Sequence, residues 1–195
     1  MPTNNCFNSN IPIELSKGGT NATSMSTSMG LVKYNGTSLV TSSTATLDAS
    51  NRYVNTAQPA FSVKASLQNN VTGDGTAYTI IFATSTKDQA SNFSSTTFTA
   101  PVSGFYLLTA WIALYGFNST SYYGTVSLNV NAATVTAAQG HLGGDLQLNY
   151  YWYVPLSIVT YMAATNTATV STTITGSTKT IAVAAGSTFN GVLLT

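Results

Sequence analysis

The run from Gly104 to Tyr115, GFYLLTAWIALY, constrains the fold more than any other part of the chain, because it is apolar at both parities. Successive side chains of a strand point to opposite faces. Phe105, Leu107, Trp111 and Ala113 therefore fall on one face, and Tyr106, Leu108, Ile112 and Leu114 on the other. Such a strand has to be covered twice. The core of a sandwich supplies one cover, while the outer face of a lone sandwich would meet water. The second cover is either a loop of the same chain or another copy of it, and the residues leave both open.

The remainder reads as all-β. Thirty-three of the 195 residues are threonine, and threonine, valine, tyrosine and phenylalanine pack well on a pleated, half-buried surface. No segment carries a convincing helical period. Phe61, Val63, Ala65 and Leu67 alternate with Ser62, Lys64 and Ser66, the pattern of a strand with one wet face. Asn69 to Thr76 reads as a turn, Tyr78 to Phe82 as a strand, and Lys87 to Ser95 as a polar loop. Further strands are expected at Thr125 to Val130, Leu146 to Val154, Leu156 to Met162, Ala168 to Thr175, Lys179 to Ala184 and Thr188 to Leu194, with Pro155 at a break or on an edge. Up to about Thr56 the chain differs. Short polar runs such as Thr20-Asn21-Ala22-Thr23-Ser24 offer few alternations long enough to bury a face. The boundary falls near Gln58, between an extended N-terminal segment, residues 1–58, and a head, residues 59–195, of a size that one core can serve.

Charge is sparse: six basic and five acidic side chains. The basic ones, Lys17, Lys33, Arg52, Lys64, Lys87 and Lys179, are scattered singly, so the clustered face that tracks phosphates is missing and no nucleic-acid partner is expected. No segment is long and apolar enough to span a membrane as a helix. Cys6 is the single cysteine and cannot close an internal disulfide, though it could cross-link neighbours. Met1 to Leu15 has neither a basic start nor an apolar centre, so no signal peptide is expected. Catalysis by a nucleophile and base would have to use His141, the one histidine, in the glycine-flanked stretch Gln139-Gly140-His141-Leu142-Gly143-Gly144-Asp145. A histidine in an exposed turn lacks the positioned partner that a general base needs. Glu14, Asp48, Asp74, Asp88 and Asp145 form neither an alternating calcium-loop spacing nor an evident glycosidase pair. The chain is expected to be no enzyme, with no catalytic, cofactor-binding or metal-ligating residue.

Aromatic side chains remain as candidates for contact. Tyr122 and Tyr123 follow Asn118-Ser119-Thr120 in an apparent loop and offer a rigid amphipathic surface for a glycan or protein, with strand packing as the alternative. In Tyr150-Tyr151-Trp152-Tyr153 alternation sets Tyr150 and Trp152 on one face and Tyr151 and Tyr153 on the other, one core and one interface.

Two motifs resemble a known family. Phe98, Pro101, Gly104 and Tyr106 in TFTAPVSGFY, together with Phe189, Gly191 and Leu193 near the C-terminus, resemble the signature of the C1q/tumour-necrosis-factor jelly roll. The resemblance implies a sandwich of about ten strands in which those two strands lie side by side, a homotrimer, and a binding head in place of an enzyme. It places Tyr106, Trp111, Tyr151, Trp152, Tyr153 and Phe189 in the core or at the trimer interface, and leaves calcium possible near the threefold apex without requiring it. Ile11 to Thr23, IPIELSKGGTNAT, is similar to an element near the N-termini of phage and virus fibre proteins, with Asn21 where that element usually has glycine. The joint expectation is a virion structural protein. Residues 1–58 would join it to other virion proteins and a trimeric head would attach to a host surface glycan or protein. A capsid decoration protein and a bacterial C1q-like surface adhesin are the alternatives. The virion surface is the expected location; membrane insertion is not expected. Sequons at Asn21, Asn35, Asn70, Asn92 and Asn118 are expected by chance in so Asn- and Thr-rich a chain.

Overall fold

A computed structural model describes residues 30–34, 39–47, 50, 53–55, 57–118, 120–121, 123–141 and 150–194. They fall in two compact units, one ending at Ala57 and one beginning at Gln58. Ile11 to Thr23, Cys6, Tyr122 and Asp145 lie outside the described residues.

In the first unit, β1 (Gly30–Tyr34), β2 (Leu39–Leu47) and β3 (Tyr53–Asn55) form an antiparallel sheet in that order. Val32 sits opposite Thr41, and Thr46 opposite Val54. A segment whose sequence reads only as extended thus carries a small sheet of its own, from strands in which threonine and serine stand where a core strand would have larger apolar side chains.

The second unit is a sandwich of two sheets. Its strands are β4 (Ala60–Lys64), β5 (Gln68–Thr72), β6 (Tyr78–Thr79), β7 (Thr84–Gln89), β8 (Phe93–Ser94), β9 (Thr97–Thr99), β10 (Gly104–Tyr115), β11 (Tyr123–Val130), β12 (Ala133–His141), β13 (Trp152–Met162), β14 (Thr167–Thr175), β15 (Ile181–Val183) and β16 (Thr188–Leu193). One sheet runs β5-β15-β10-β16-β4-β7, with β13 on the other edge of β10; the second runs β12-β11-β14-β9-β8, with β6 also paired to β14. Alternation explains the assembly. β11 and β14 bury every second residue, Val126, Leu128 and Val130 in one and Ala168, Val170, Thr172 and Ile174 in the other, and the wet positions between them are threonine, serine and asparagine.

The core lies between the sheets and is organised by aromatic rings. Phe61 stacks on Phe98 at 4.5 Å and meets Phe189 edge-on at 4.9 Å, and Phe98 meets Tyr106 at 5.6 Å. The two motif strands are neighbours: Leu108 pairs with Gly191 and Ala110 with Phe189. Gly191 is required for that closeness. A Cβ added there would lie 2.2 Å from the Phe61 ring and 2.9 Å from Leu108, so glycine is what lets Phe61 rest on β16. The Tyr106 hydroxyl donates to the Val102 carbonyl at 2.8 Å and ties the Pro101 turn to the core.

Several expectations need correction. Leu67 is half exposed, because β4 ends at Lys64 and Ala65 instead donates its N–H to the Ser187 carbonyl. Within Asn69 to Thr76, the part up to Thr72 is strand paired to β15, and the turn is confined to the residues that follow, with Gly73 and Gly75 at positive φ. Tyr78 to Phe82 pairs only at Tyr78–Thr79, although Ile80 and Phe82 are buried. The supposed polar loop from Lys87 to Ser95 contains the end of β7 and all of β8; β7 is polar because it is an edge strand with one face in water. Residues 142–149 lie outside the described residues. From Trp152 a single strand runs through Pro155, which β13 tolerates as an edge strand paired only to β10. β12 has no counterpart in the sequence reading, since its alanines and threonines alternate too weakly.

Candidate functional site

The inner parity of β10 gives the core Tyr106, Leu108, Ile112 and Leu114, all fully buried. The outer parity, with β13 beside it in register, makes an aromatic face. Phe105 stands opposite Tyr161, Leu107 opposite Val159, and Ala113 opposite Tyr153. Trp111 is 47 % exposed, Tyr153 52 % and Tyr161 57 %. The rings order themselves on this face. Trp111 lies parallel to Tyr153, with centroids 5.3 Å apart and planes 12° off; Tyr153 continues to Tyr151 at 5.6 Å and 14°, and Tyr151 to Tyr115 at 5.2 Å. At the other end Phe105 meets Tyr161 edge-on at 5.6 Å. Offset stacks and edge-on contacts are the arrangements that the ring quadrupole favours.

Two open grooves flank the ladder. One of about 430 Å³ is bordered by Leu67, Trp111, Tyr115, Tyr151, Tyr153 and the turn at Gly186, with no ionisable acid or base among its lining groups other than tyrosine. The other, about 380 Å³, lies over Ser62, Leu107, Thr109, Asn190 and Val192, with Lys87 on its rim. Neither groove gathers a nucleophile, base and acid; what they offer is contact area, mostly apolar in the second groove and nearly half polar in the first.

The residues expected in the core or at an interface divide cleanly. Tyr106 and Phe189 are fully buried, and Trp152 is half-buried against the core. Trp111, Tyr151 and Tyr153 point outward. Tyr150 does not follow Trp152 inward and is 54 % exposed, because β13 begins only at Trp152 and strand alternation does not govern a residue two places before it. Val159 and Tyr161 belong to the same face and were not singled out in the sequence; the alternation of Ile158, Val159, Thr160 and Tyr161 carries the signal.

Tyr123 is not in a loop. It opens β11, half-buried, with its ring edge-on to His141 at 5.9 Å. The preceding loop is held by Asn118, whose Oδ1 accepts from the Thr120 N–H at 3.0 Å and whose Nδ2 donates to Ser177 Oγ at 2.7 Å. The described carboxylates also serve turns. Asp74 accepts from the Thr76 N–H at 3.0 Å, and that bond first of all holds its carboxyl below the usual aspartate value. Asp88 accepts from the N–H groups of Asn92 at 2.9 Å and Phe93 at 3.2 Å. Among the described residues no three His, Cys, Asp or Glu side chains gather as a metal site would need. Burial pushes the Tyr106 phenol above its ordinary value, opposed by its bond to Val102.

No family model matches the chain, and no curated protein matches its sequence. Solved structures do. The globular domain of zebrafish complement 1qA protein matches with a TM-score of 0.50 at 18% identity, covering 70% of this chain and 98% of that one. The head has a C1q-like jelly-roll fold. Murine APRIL matches with a TM-score of 0.49 at 10% identity, over 70% of this chain and 99% of that one, a likeness to which the assignment owes nothing. Within the C1q-like jelly roll, the aromatic face belongs to the sheet that holds β10, β13 and β16.

Proposed function

We propose that this chain is a non-enzymatic virion structural protein whose C1q-like heads associate as homotrimers and attach the particle to a host surface, with residues 1–58 making the contacts to other virion proteins. One observation carries the self-association: the ladder Trp111, Tyr153, Tyr151 and Tyr115, with the Phe105 and Tyr161 pair at the other end of the same face, stands on the outside of a sheet whose inner side is already a complete core. A contiguous aromatic patch is costly in water and typical of the buried centre of a protein interface. Each such ring removed from water contributes about 1.5–3 kcal/mol before the entropy of association is subtracted. Trimers are what the family resemblance implies. The non-enzymatic reading is supported, among the described residues, by the duties of the carboxylates and the histidine, since Asp74 and Asp88 stabilise turns and His141 lies against Tyr123. No metal or cofactor is part of the proposal. Attachment is supported by the neutral, hydroxyl-rich exterior, and threefold presentation multiplies weak contacts through effective concentration.

The test is solution mass by light scattering over a wide dilution range, with and without a chelator. The expected result is three times the 20.3 kDa of one chain, unchanged by the chelator. A stable monomer at every concentration would overturn the assembly.

A further inference from the structure

The second sheet of the head turns outward a surface of opposite chemistry. In β11 the residues between the buried valines and leucine are Thr125, Ser127 and Asn129; in β14 they are Thr169, Ser171 and Thr173. The register sets them in rows across three strands. Gln139, Thr125 and Thr173 form one row, Ala137, Ser127 and Ser171 the next, and Thr134, Asn129 and Thr169 a third. Tyr123, flanked by Thr175 and His141, closes one end. Part of the array is fixed in advance, since Asn129 Nδ2 donates to Ser171 Oγ at 3.0 Å and its Oδ1 accepts from Thr134 Oγ1 at 2.9 Å. The hydroxyls of Thr125, Ser127, Thr169 and Thr173 have no side-chain partner among the described residues and stay available. No acidic side chain, lysine or arginine stands in these rows. Lys64, Lys87 and Asp88 are on strands of the other sheet, and Asp74 and Lys179 lie between strands.

We propose that this hydroxyl face, with the Tyr123 ring at its end, is the attachment site and that its ligand is an uncharged glycan. The inference rests on the attachment reading above and names the ligand class for it. A neutral polyol exchanges hydrogen bonds with water for bonds to fixed hydroxyl and amide groups, and an aromatic ring accepts the apolar face of a sugar. An anionic glycan, nucleic acid or acidic membrane gains little here, because attraction for them grows with lysine and arginine, and none of either stands on this face among the described residues. A protein partner would seek an apolar and aromatic centre, which the opposite sheet has and this one does not. The site is shallow, so each head binds weakly, and several heads on one assembly strengthen retention on a polymer.

The experiment uses the full chain on immobilised yeast mannan, β-1,3-glucan and galactan, with heparin as the acidic comparator. Retention is expected on at least one neutral polymer and not on heparin. Ser127→Glu and Thr173→Glu, which place a charge in the middle rows, are expected to weaken that retention about tenfold or more, and Thr125→Val, which keeps the shape and removes a hydroxyl, severalfold. Retention on heparin alone, on none of the polymers, or equally by wild type and both glutamate variants would overturn the proposal. Solution mass and melting temperature are read on the same samples. Lost retention with mass and melting unchanged supports the hydroxyl face. A wild type that is monomeric yet retained on mannan sinks the trimer reading and leaves the glycan face supported.

Discussion

Gly191 is where the sequence motif and the packing meet. Its neighbours Phe189 and Leu193 are ordinary strand residues, but the glycine is set by the Phe61 ring, which occupies the volume a methyl group would need. Gly191→Ala is expected to destabilise the head by about 2–3 kcal/mol, the upper part of the range of core overpacking. Gly186 is the control. It has φ +86° and nothing within 4 Å of an added Cβ, so Gly186→Ala should cost only the left-handed strain, about 1 kcal/mol. Urea midpoints of the two variants check the difference, and equal losses would mean that Phe61 moves aside freely. At this scale the sequence was legible where a residue's role is set by parity: Tyr106 inward and Trp111 outward follow from counting along Gly104 to Tyr115. It was not legible for Leu67 or Tyr150, which lie just past the ends of β4 and β13, where alternation no longer governs.

Among the elements, β10 and β13 were marked by apolar residues on both faces or by dense aromatics, whereas β5, β7 and β12 were not. Those three have few apolar neighbours to bury. β5 begins Gln68-Asn69-Asn70 with Asn70 at φ +56°, a composition that reads as a turn, and it is a strand because β15 pairs with it. β12 reaches strand geometry through a bulge opposite Leu128 and Asn129, with Val135 packed against the core. Tertiary pairing decided these elements, and a single sequence carries little record of it. The aromatic face yields its own prediction. Trp111→Ser with Tyr153→Ser removes the central stack and leaves the inner face of β10 untouched. The doubly substituted chain is expected to keep the β-sheet circular dichroism of the wild type and to lose the proposed trimer, with a dissociation constant raised about a thousandfold, since each of the two lost anchors is worth about 2 kcal/mol or more. An unchanged mass would show that the ladder is not the seam.

On the scale of the whole molecule, the head carries two exteriors that the same alternation rule produces with different residues. The sheet holding β10 and β13 puts tryptophan, tyrosine and phenylalanine in its outward positions, and the sheet holding β11 and β14 puts threonine and serine there. A trimer that hides the first face leaves the second outward on all three copies, so assembly and attachment do not compete for surface. Residues 58–195 contain both sheets and the complete core, which predicts how the labour divides along the chain. A fragment of residues 58–195 is expected to fold, to trimerise with the dilution behaviour of the full chain, and to be retained on the same neutral polymer. If the chain is a virion protein as proposed, the fragment should fail only to join the particle, the step proposed for residues 1–58. Light scattering and mannan retention of the fragment, set beside its incorporation into assembled particles, separate these roles. A fragment that aggregates or stays monomeric would overturn this division, because assembly would then require residues 1–57 as well.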